Sequence, residues 1–395
     1  MKMIGFLKKF TMKKAVETTI FLAVFFLFFA GLSMFMTLPK MLNTFMQTAY
    51  HLLMETVLYI MSITVMTGAI SKLFVEFGVV RLLEKLLRPL MKPLYNLPGV
   101  ASLGAVMTFL SDNPAIITLS QDRNFSKYFK QYQLVSLTNF GTAFGMGLVV
   151  IAFMVGRGYG EGAVVGFVGA VVGSIISTRL MQRFTLKAYP EMDAPVQFEE
   201  PQSAEDENEE PVKVNTFMRV LNAVLDGGKG GVNIGLAIIP GVLVISTIVM
   251  MLTFGPANGV SYEGVAYEGV PVLPWLADKI GFVFDWLFGF KHSELIAFPM
   301  TALGAVGAAL GVVPTFDAAH LIDNNSIAVF TAMGMCWSGY LSTHTAMLDS
   351  MGYRNLISKA IGAHTIGGLC AGIFAHWLFV LVQLLLKPDA PWWGL

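Results

Sequence analysis

Asp112 and Asn113 are the polar residues with the clearest chemistry, because they interrupt an apolar stretch directly before Pro114. If that stretch lies within a membrane, its carboxylate is costly to bury and indicates a functional site. Asp112 can bind a sodium ion together with backbone carbonyls, exchange a proton, or accept a hydrogen bond from a substrate. The structural alternative is a cap on a helix that begins at the proline. We favour ion coupling for Asp112 and substrate binding for Asn113.

A second polar group, Thr315, Asp317 and His320, follows another apolar stretch. Asp317 and His320 are three residues apart, so their side chains can pair on one helix face. The pair is either structural or proton-carrying, and both interpretations remain open. We assign Thr315 to substrate binding and the pair to ion coupling.

Two further apolar stretches carry matched polar and aromatic residues at an offset of 200 positions. Hydroxyls at i and i+4 share a helix face, so two such faces can enclose a small polar pocket with aromatic walls. The alternative is that these hydroxyls only bond to the backbone of their own helix. The candidate substrate-binding residues are Thr138, Asn139, Phe140, Thr142, Ser338, Tyr340, Ser342 and His344.

The composition of the chain defines the elements that must position these residues. Of 395 residues, 55% are hydrophobic and only 13% are charged, and the mean hydropathy is +0.65. So few charges cannot cover a water-soluble surface, and the apolar content excludes disorder. The two cysteines provide no disulfide framework. The chain is therefore predicted to be an all-α polytopic membrane protein.

A hydrocarbon core of about 30 Å requires about 20 apolar helical residues. On that basis the predicted spans are 15–38, 52–75, 134–156, 162–182, 233–254, 326–350 and 360–386. Two Gly- and Ala-rich stretches with an internal proline, 98–119 and 295–321, are predicted to be re-entrant hairpins. Residues 79–97 are amphipathic and typical of an interfacial helix.

An internal repeat is the most specific signal in the sequence. Leu103-Gly104-Ala105-Val106 recurs as Leu303-Gly304-Ala305-Val306, and 8 of the 24 positions 103–126 are identical at the offset of 200. The predicted organisation is a basic N-terminal segment with the first span, two homologous halves joined by an acidic flexible cytoplasmic linker, and a tail. These parts comprise residues 1–41, 42–182, 183–213, 214–386 and 387–395.

The distribution of basic residues predicts the orientation, because cytoplasmic loops hold the excess of Lys and Arg. With the N-terminus inside and both hairpins re-entrant, only five of the 26 basic residues fall outside: Lys40, Arg157, Lys279, Lys291 and Lys387. Each half then has three spans and one hairpin, so the halves are inverted. Inverted repeats with broken helices are typical of secondary transporters, whose substrate binds near the midplane.

The segment Leu110-Ser111-Asp112-Asn113-Pro114-Ala115, after the Leu-Gly-Ala-Val motif, is similar to the Asp-Asn-Ala-Ala segment of the paired spore maturation membrane proteins. The pattern resembles the nucleoside recognition or Gate family, which also includes bacterial ferrous iron transporters and the hairpin regions of concentrative nucleoside transporters. This resemblance implies transport or gating. The second half departs from it, with Val312-Val313 in place of Asp112-Asn113, and the GTPase domain of the iron transporters is absent.

We therefore predict a secondary transporter of the bacterial inner membrane, not an enzyme, with the C-terminus outside. It would carry a small polar or nucleoside-like solute by alternating access. The only cofactor expected is a coupling sodium ion or proton. The expected partners are the lipid bilayer and a small-molecule substrate but not nucleic acid, and a homo-oligomer is left open. The alternatives are a lipid or envelope-precursor flippase and a non-transporting factor of the spore maturation type, while a divalent-metal permease is the weakest.

Overall fold

The computed structural model of the chain describes residues 2–196 and 215–386, with side chains described from residue 14 onward except at Ser342. Most of the predicted acidic linker and the whole C-terminal tail lie outside these residues. The described residues are almost entirely helical and contain no β-strand, only an isolated bridge between Lys130 and Pro195. The prediction of an all-α membrane protein is confirmed.

The first half of the chain forms ten α-helices within the described residues. They are α1 (Lys2–Met36), α2 (Leu38–His51), α3 (Leu58–Glu76), α4 (Val79–Leu90), α5 (Ala101–Leu110), α6 (Pro114–Gln121), α7 (Arg123–Ser126), α8 (Gln131–Thr142), α9 (Gly147–Gly156) and α10 (Gly160–Ala188). Helices α2 and α3 are continuous through a π-helical segment, Leu52–Val57, and a second such segment, Met91–Tyr95, follows α4.

The second half has nine α-helices in its described part. They are α11 (Thr216–Pro240), α12 (Thr247–Met251), α13 (Val272–Asp278), α14 (Gly281–Phe288), α15 (Ala297–Ala302), α16 (Val306–Ala318), α17 (Asn324–Cys336), α18 (Tyr340–Ser350) and α19 (Ile357–Leu386). A π-helical segment, Gly241–Ser246, makes α11 and α12 continuous.

The same order of elements therefore occurs twice. Each half contains a long helix with a π-helical segment, one or two shorter helices, a hairpin, a broken helix and a long closing helix. Hairpin one is α5–α6 and hairpin two is α15–α16. Equivalent helices of the two halves pack on each other, α3 on α11 and α10 on α19. This pairing is the arrangement expected of a duplicated chain with a pseudo-twofold axis.

Six helical stretches of the described residues are long and apolar enough to cross a membrane. They are Lys14–Met36, Leu38–Glu76, Gln131–Gly156, Gly160–Ala188, Thr216–Met251 and Arg354–Leu386. The remaining predicted span, 326–350, is divided into α17 and α18 by a break at Trp337–Gly339. A helix that is broken inside a membrane leaves backbone groups that protein or a water-filled cavity must satisfy.

Glycines bring α3 and α11 into backbone contact. A Cβ atom on Gly68 would lie 2.4 Å from the carbonyl oxygen of Gly227, and one on Gly231 would lie 2.2 Å from that of Thr64. The Thr64 hydroxyl donates a hydrogen bond of 2.7 Å to the Gly231 carbonyl. Small residues that allow close approach are the usual basis of helix association in membranes, so this contact fixes the first pair of equivalent helices.

Hairpin two turns at a different place from hairpin one. Helix α16 continues through Val312-Val313, the counterparts of Asp112-Asn113 in the repeat, and contains Pro314. The turn lies at Leu303–Ala305, where Gly304 packs so closely on Ile245 that a Cβ atom would be 2.8 Å from its Cδ1. Ala305 is extended, with φ of −166°. The break therefore lies earlier in the second half than in the first.

The predicted linker is partly structured. Helix α10 extends to Ala188, beyond the predicted end of its span at residue 182, and a 3₁₀ turn follows at Pro190–Asp193. Met192 is buried, and Lys130 forms an ion pair of 2.8 Å with Asp193. These contacts anchor the start of the linker to the beginning of α8.

The loop between α12 and α13 is organised by one buried carboxylate. Glu268 is only 1% exposed and accepts hydrogen bonds from the backbone N–H groups of Ala257, Glu263, Gly264 and Val265. Burial opposes the charged form, but these backbone donors outweigh it and lower the pKa of Glu268. The charged carboxylate therefore stabilises the loop.

The same loop is fastened to α2. Lys40 donates a hydrogen bond of 2.6 Å to the carbonyl of Tyr262, and the Asn43 amide donates one of 2.7 Å to the carbonyl of Gly264. The Thr48 hydroxyl accepts a hydrogen bond of 2.9 Å from the backbone N–H of Tyr267. The loop thus joins the second half to the first.

Candidate functional site

A cavity of about 440 Å³ lies where the interrupted helices of both halves meet, and we call it the hairpin cavity. Its walls come from the turns of both hairpins, the breaks of α8–α9 and α17–α18, and the face of α11 with its π-helical segment. The lining residues are Asp112, Asn113, Pro114, Ile117, Met146, Ile234, Ala237, Ile238, Gly241, Ile245, Gly304, Ala305, Val306, Gly307, Ser338, Gly339, Thr343 and Ala346.

The turn of hairpin one presents two oxygen atoms that lack a partner. Helix α5 ends at Leu110 and α6 begins at Pro114, with Asn113 as an N-cap residue whose side chain makes no capping bond. Asp112 is not at the N-cap position, so the structural alternative of a capping carboxylate is not adopted. Asp112 Oδ1 and Asn113 Oδ1 are both buried and have no hydrogen-bond partner among the described residues.

A short chain of hydrogen bonds connects the two halves at the cavity wall. The Asn113 amide lies 3.4 Å from the Ser338 hydroxyl, which donates a bond of 2.9 Å to the carbonyl of Thr142. Gly145 and Gly339 leave the space for this contact, since a Cβ atom on either would lie within 2.5 Å of the Asn113 side chain. The turn of hairpin one therefore sits directly against the breaks of both interrupted helices.

Asp317 has partners other than the one predicted. It accepts a hydrogen bond of 2.7 Å from the Tyr159 hydroxyl and forms an ion pair of 3.3 Å with Arg157. Partial burial and the bond to Asp317 raise the pKa of Tyr159 to about 12. His320 is exposed, with a left-handed backbone at φ of 54°. The expected pairing with His320 is wrong, because Asp317 faces the loop between α9 and α10.

The predicted residues of α8 do not line the hairpin cavity. The Asn139 amide donates hydrogen bonds of 2.9 Å to the Ser177 hydroxyl and to the carbonyl of Ala360. The hydroxyl of Thr142 bonds to the Thr138 carbonyl of its own helix. Phe140 packs edge-on against Tyr95, with ring centres 4.8 Å apart. These side chains hold the helix bundle together instead of facing one polar pocket.

Among the described side chains, Thr315, Tyr340 and His344 do not line the cavity either, whereas Ser338, just before α18, does. Tyr340 bonds to the hydroxyl of Thr365 on α19. His344 is fully buried against His364, with ring centres 4.6 Å apart. Thr315 is half-buried and does not line the cavity. Ser342 belongs to α18, and its side chain lies outside the described part of the structure.

Sequence reasoning missed several residues of the cavity wall. Thr343 supplies a further hydroxyl, and Ile234, Ile238 and Ile245 form an apolar wall from α11 and its π-helical segment. In the sequence, the signal for these residues was that Gly145 and Gly339, which lie near the matched polar residues, could interrupt a helix there. Among the described residues, no group of three or more His, Cys, Asp or Glu side chains could hold a metal ion.

Comparison with known proteins supports the architecture. Residues 57–158 match the family model Gate, described as nucleoside recognition, so the predicted resemblance is confirmed over hairpin one and its neighbours. No curated protein sequence matches the chain at a significant level.

Solved structures of the concentrative nucleoside transporter CNTnw are similar in fold. CNTnw in an inward-facing substrate-bound state is 15% identical, with a TM-score of 0.52 over 82% of this chain and 76% of that chain. A double variant of CNTnw in an outward-facing state is 16% identical over the same shares, also with a TM-score of 0.52. At this identity the similarity establishes the fold of a polytopic membrane protein.

Proposed function

We propose that the chain is a secondary active transporter that carries a small polar solute by alternating access through the hairpin cavity. The observation that carries this proposal is the pair of unpartnered oxygens, Asp112 Oδ1 and Asn113 Oδ1, at the wall of a cavity between two opposed hairpin turns. Of the twelve buried side-chain N or O atoms without a partner among the described residues, these two are the ones that belong to the cavity lining. A polar ligand or an ion that enters the cavity supplies the missing interactions.

Asp112 is the proposed coupling residue. A sodium ion beside the carboxylate, or a proton on it, neutralises the one acidic side chain among the described residues that line the cavity. Neutralisation lowers the cost of enclosing this group when the hairpins close around it. The hairpins therefore close around the solute readily only when the ion is bound. Solute movement is then driven by the gradient of that ion.

Asn113, Ser338 and Thr343 are the proposed solute contacts, since all three line the cavity. The amide and two hydroxyls provide donors and acceptors for hydroxyl or ring-nitrogen groups, while the isoleucines of α11 and its π-helical segment provide an apolar wall. The match to the nucleoside recognition family and the fold shared with CNTnw support a nucleoside-like solute. The cavity also supports transport over the non-transporting alternative.

The test is uptake into proteoliposomes with a panel of nucleosides, amino acids and cations under an inward sodium or proton gradient. We expect one class of small polar solute to accumulate only with protein and gradient both present. A thermal-shift screen with the same compounds comes first, because a ligand of the folded state raises its stability. If no solute moves under any gradient, the proposal is wrong.

A further inference from the structure

A second cavity, which we call the apolar cavity, lies between the amphipathic helix α4 and hairpin one. It has a volume of about 250 Å³, and its walls include Leu87 of α4, Val106 and Phe109 of α5, Phe140 of α8 and Phe167 of α10. Every lining side chain is apolar except for the Tyr95 hydroxyl, which points to the carbonyl of Val171 at 3.5 Å. The apolar cavity shares no lining residue with the hairpin cavity.

The lining of the apolar cavity selects its occupant. A polar solute would lose its hydrogen bonds to water there without replacement. Engineered apolar cavities of roughly 150 Å³ stay dry and bind hydrocarbons such as benzene. A larger cavity with the same kind of lining therefore suits a hydrocarbon chain.

The outer wall of the apolar cavity carries exposed leucines. Leu82, Leu86 and Leu90 recur every four residues on α4 and are 68%, 69% and 44% exposed. An amphipathic helix with such a stripe lies in the membrane interface with its apolar face toward the acyl chains. Leu86 and Leu90 also line the cavity, so the exposed stripe and the cavity share these two side chains.

The same helix carries the charge that selects the headgroup. Arg81 and Lys85 are exposed one helical turn apart, and Lys92 is exposed in the π-helical segment that follows. Arg88 is bound to Glu84 at 2.5 Å. Basic residues close to a membrane surface attract anionic lipids, so these cations complement a negatively charged headgroup.

We propose that an anionic phospholipid of the surrounding bilayer inserts one acyl chain into the apolar cavity and places its headgroup against the exposed cations of α4. The acyl chain contacts Val106 and Phe109 of α5 and so fills the space between hairpin one and α4. This inference does not depend on the proposed transport function.

The test is lipid retention by the purified, delipidated full chain, measured by native mass spectrometry after incubation with defined lipids. The probes are dioleoyl-phosphatidylglycerol, dioleoyl-phosphatidylcholine and glycerophosphoglycerol, which has the anionic headgroup without acyl chains. We expect wild-type protein to retain phosphatidylglycerol over phosphatidylcholine and to retain no glycerophosphoglycerol. Equal retention of the two phospholipids would overturn the headgroup part of the proposal, and binding of glycerophosphoglycerol would overturn the acyl-chain part.

Two substitutions distinguish an acyl chain bound in the apolar cavity from lipid bound elsewhere on the protein. Ala105→Leu fills the cavity, and excluding two methylenes weakens binding about tenfold. Leu86→Gln makes the exposed opening of the apolar cavity polar and should also weaken binding. Leu86 is exposed, so this substitution should not disturb the fold. Unchanged retention in both variants would overturn the proposal.

A second set of variants tests the headgroup. Lys85→Gln with Lys92→Gln should remove the preference for phosphatidylglycerol. The control pair Lys72→Gln with Lys229→Gln, which are exposed lysines on other helices, should keep it.

Discussion

The amide nitrogen of Asn113 lies 3.4 Å from the hydroxyl oxygen of Ser338, although 225 residues separate them in the chain. One residue belongs to the turn of hairpin one, and the other to the break between α17 and α18. Their contact brings the interrupted elements of both halves to a single point beside Asp112. The predictions below test this junction and the packing that supports it.

Gly145→Ala should disrupt transport without unfolding the protein. The added Cβ atom would lie 2.1 Å from Asn113 Oδ1 and 2.5 Å from Ser338 Oγ, so these two side chains must move and their contact is disturbed. We expect solute uptake in proteoliposomes to fall about tenfold, which corresponds to roughly 1.4 kcal/mol. Gly230→Ala is the matched control, because its Cβ atom meets nothing within 4 Å. Equal uptake by the two variants would show that the junction has no role in transport.

Gly231→Ala should destabilise the protein as a whole. Its Cβ atom would lie 2.2 Å from the Thr64 carbonyl oxygen, and backbone atoms cannot move aside as a flexible side chain can. Overpacking of this kind costs about 1–3 kcal/mol, measurable as a lower Tm in detergent. Gly228→Ala on the same helix should leave the Tm unchanged or raise it, since its nearest neighbour is 3.7 Å away. A Gly231→Ala variant as stable as Gly228→Ala would contradict the α3–α11 packing.

Glu268→Gln should weaken the loop between α12 and α13 in a pH-dependent way. The folded-state pKa is below the usual value of 4.5, so the carboxylate stabilises the fold fully above that value. The contribution disappears as the pH falls through the folded-state pKa. We expect the substitution to cost about 2 kcal/mol at neutral pH, and the Tm difference from wild type to shrink below pH 4.5.

The control for that experiment is Glu263→Gln, because Glu263 is exposed and its carboxylate accepts only from Asn258 among the described residues. Its Tm should stay close to that of wild type throughout the titration. A Tm difference between Glu268→Gln and wild type that stays constant down to the lowest pH would show that the charge of Glu268 is not what stabilises the loop.

Arg157 and Asp317 should show a measurable coupling energy. The ion pair is partly shielded from solvent, and the Arg157 guanidinium also lies over the Phe153 ring at 5.2 Å. A double-mutant cycle with Arg157→Gln and Asp317→Asn should give a coupling of about 1 kcal/mol in unfolding free energy. The parallel cycle of Asp317→Asn with His320→Ala should give no coupling. A larger value for the histidine cycle would restore the pairing expected from the sequence.

The duplicated architecture was predictable because it depends on local properties of the chain. Apolar length defines the spans, and identical residues such as Gly104 and Gly304 at one offset reveal the repeat. The break in hairpin one at Asp112 and Asn113 was also predictable, because polar residues directly before a proline in an apolar stretch interrupt a helix.

The remaining details depend on tertiary contacts that residue spacing does not encode. The hairpin-two turn lies at Leu303–Ala305, whereas Gly104, the counterpart of Gly304, lies within a continuous helix, although both glycines pack closely on an isoleucine. The spacing showed that Thr138 and Thr142 share a helix face, but it did not show which neighbour each side chain on this helix contacts. Asn139, for example, bonds to Ser177 on α10 and does not line the predicted pocket.

Gradient-driven uptake by the Asp112→Asn variant tests the central claim most directly. The substitution keeps the size of the side chain and removes the only acidic group that the described part of the chain contributes to the hairpin cavity. Asp226→Asn, at an exposed position on α11, is the matched control. We predict that Asp112→Asn loses ion-driven solute accumulation by at least about tenfold while Asp226→Asn accumulates solute like wild type. Wild-type accumulation with unchanged ion dependence in the Asp112→Asn variant would contradict the account.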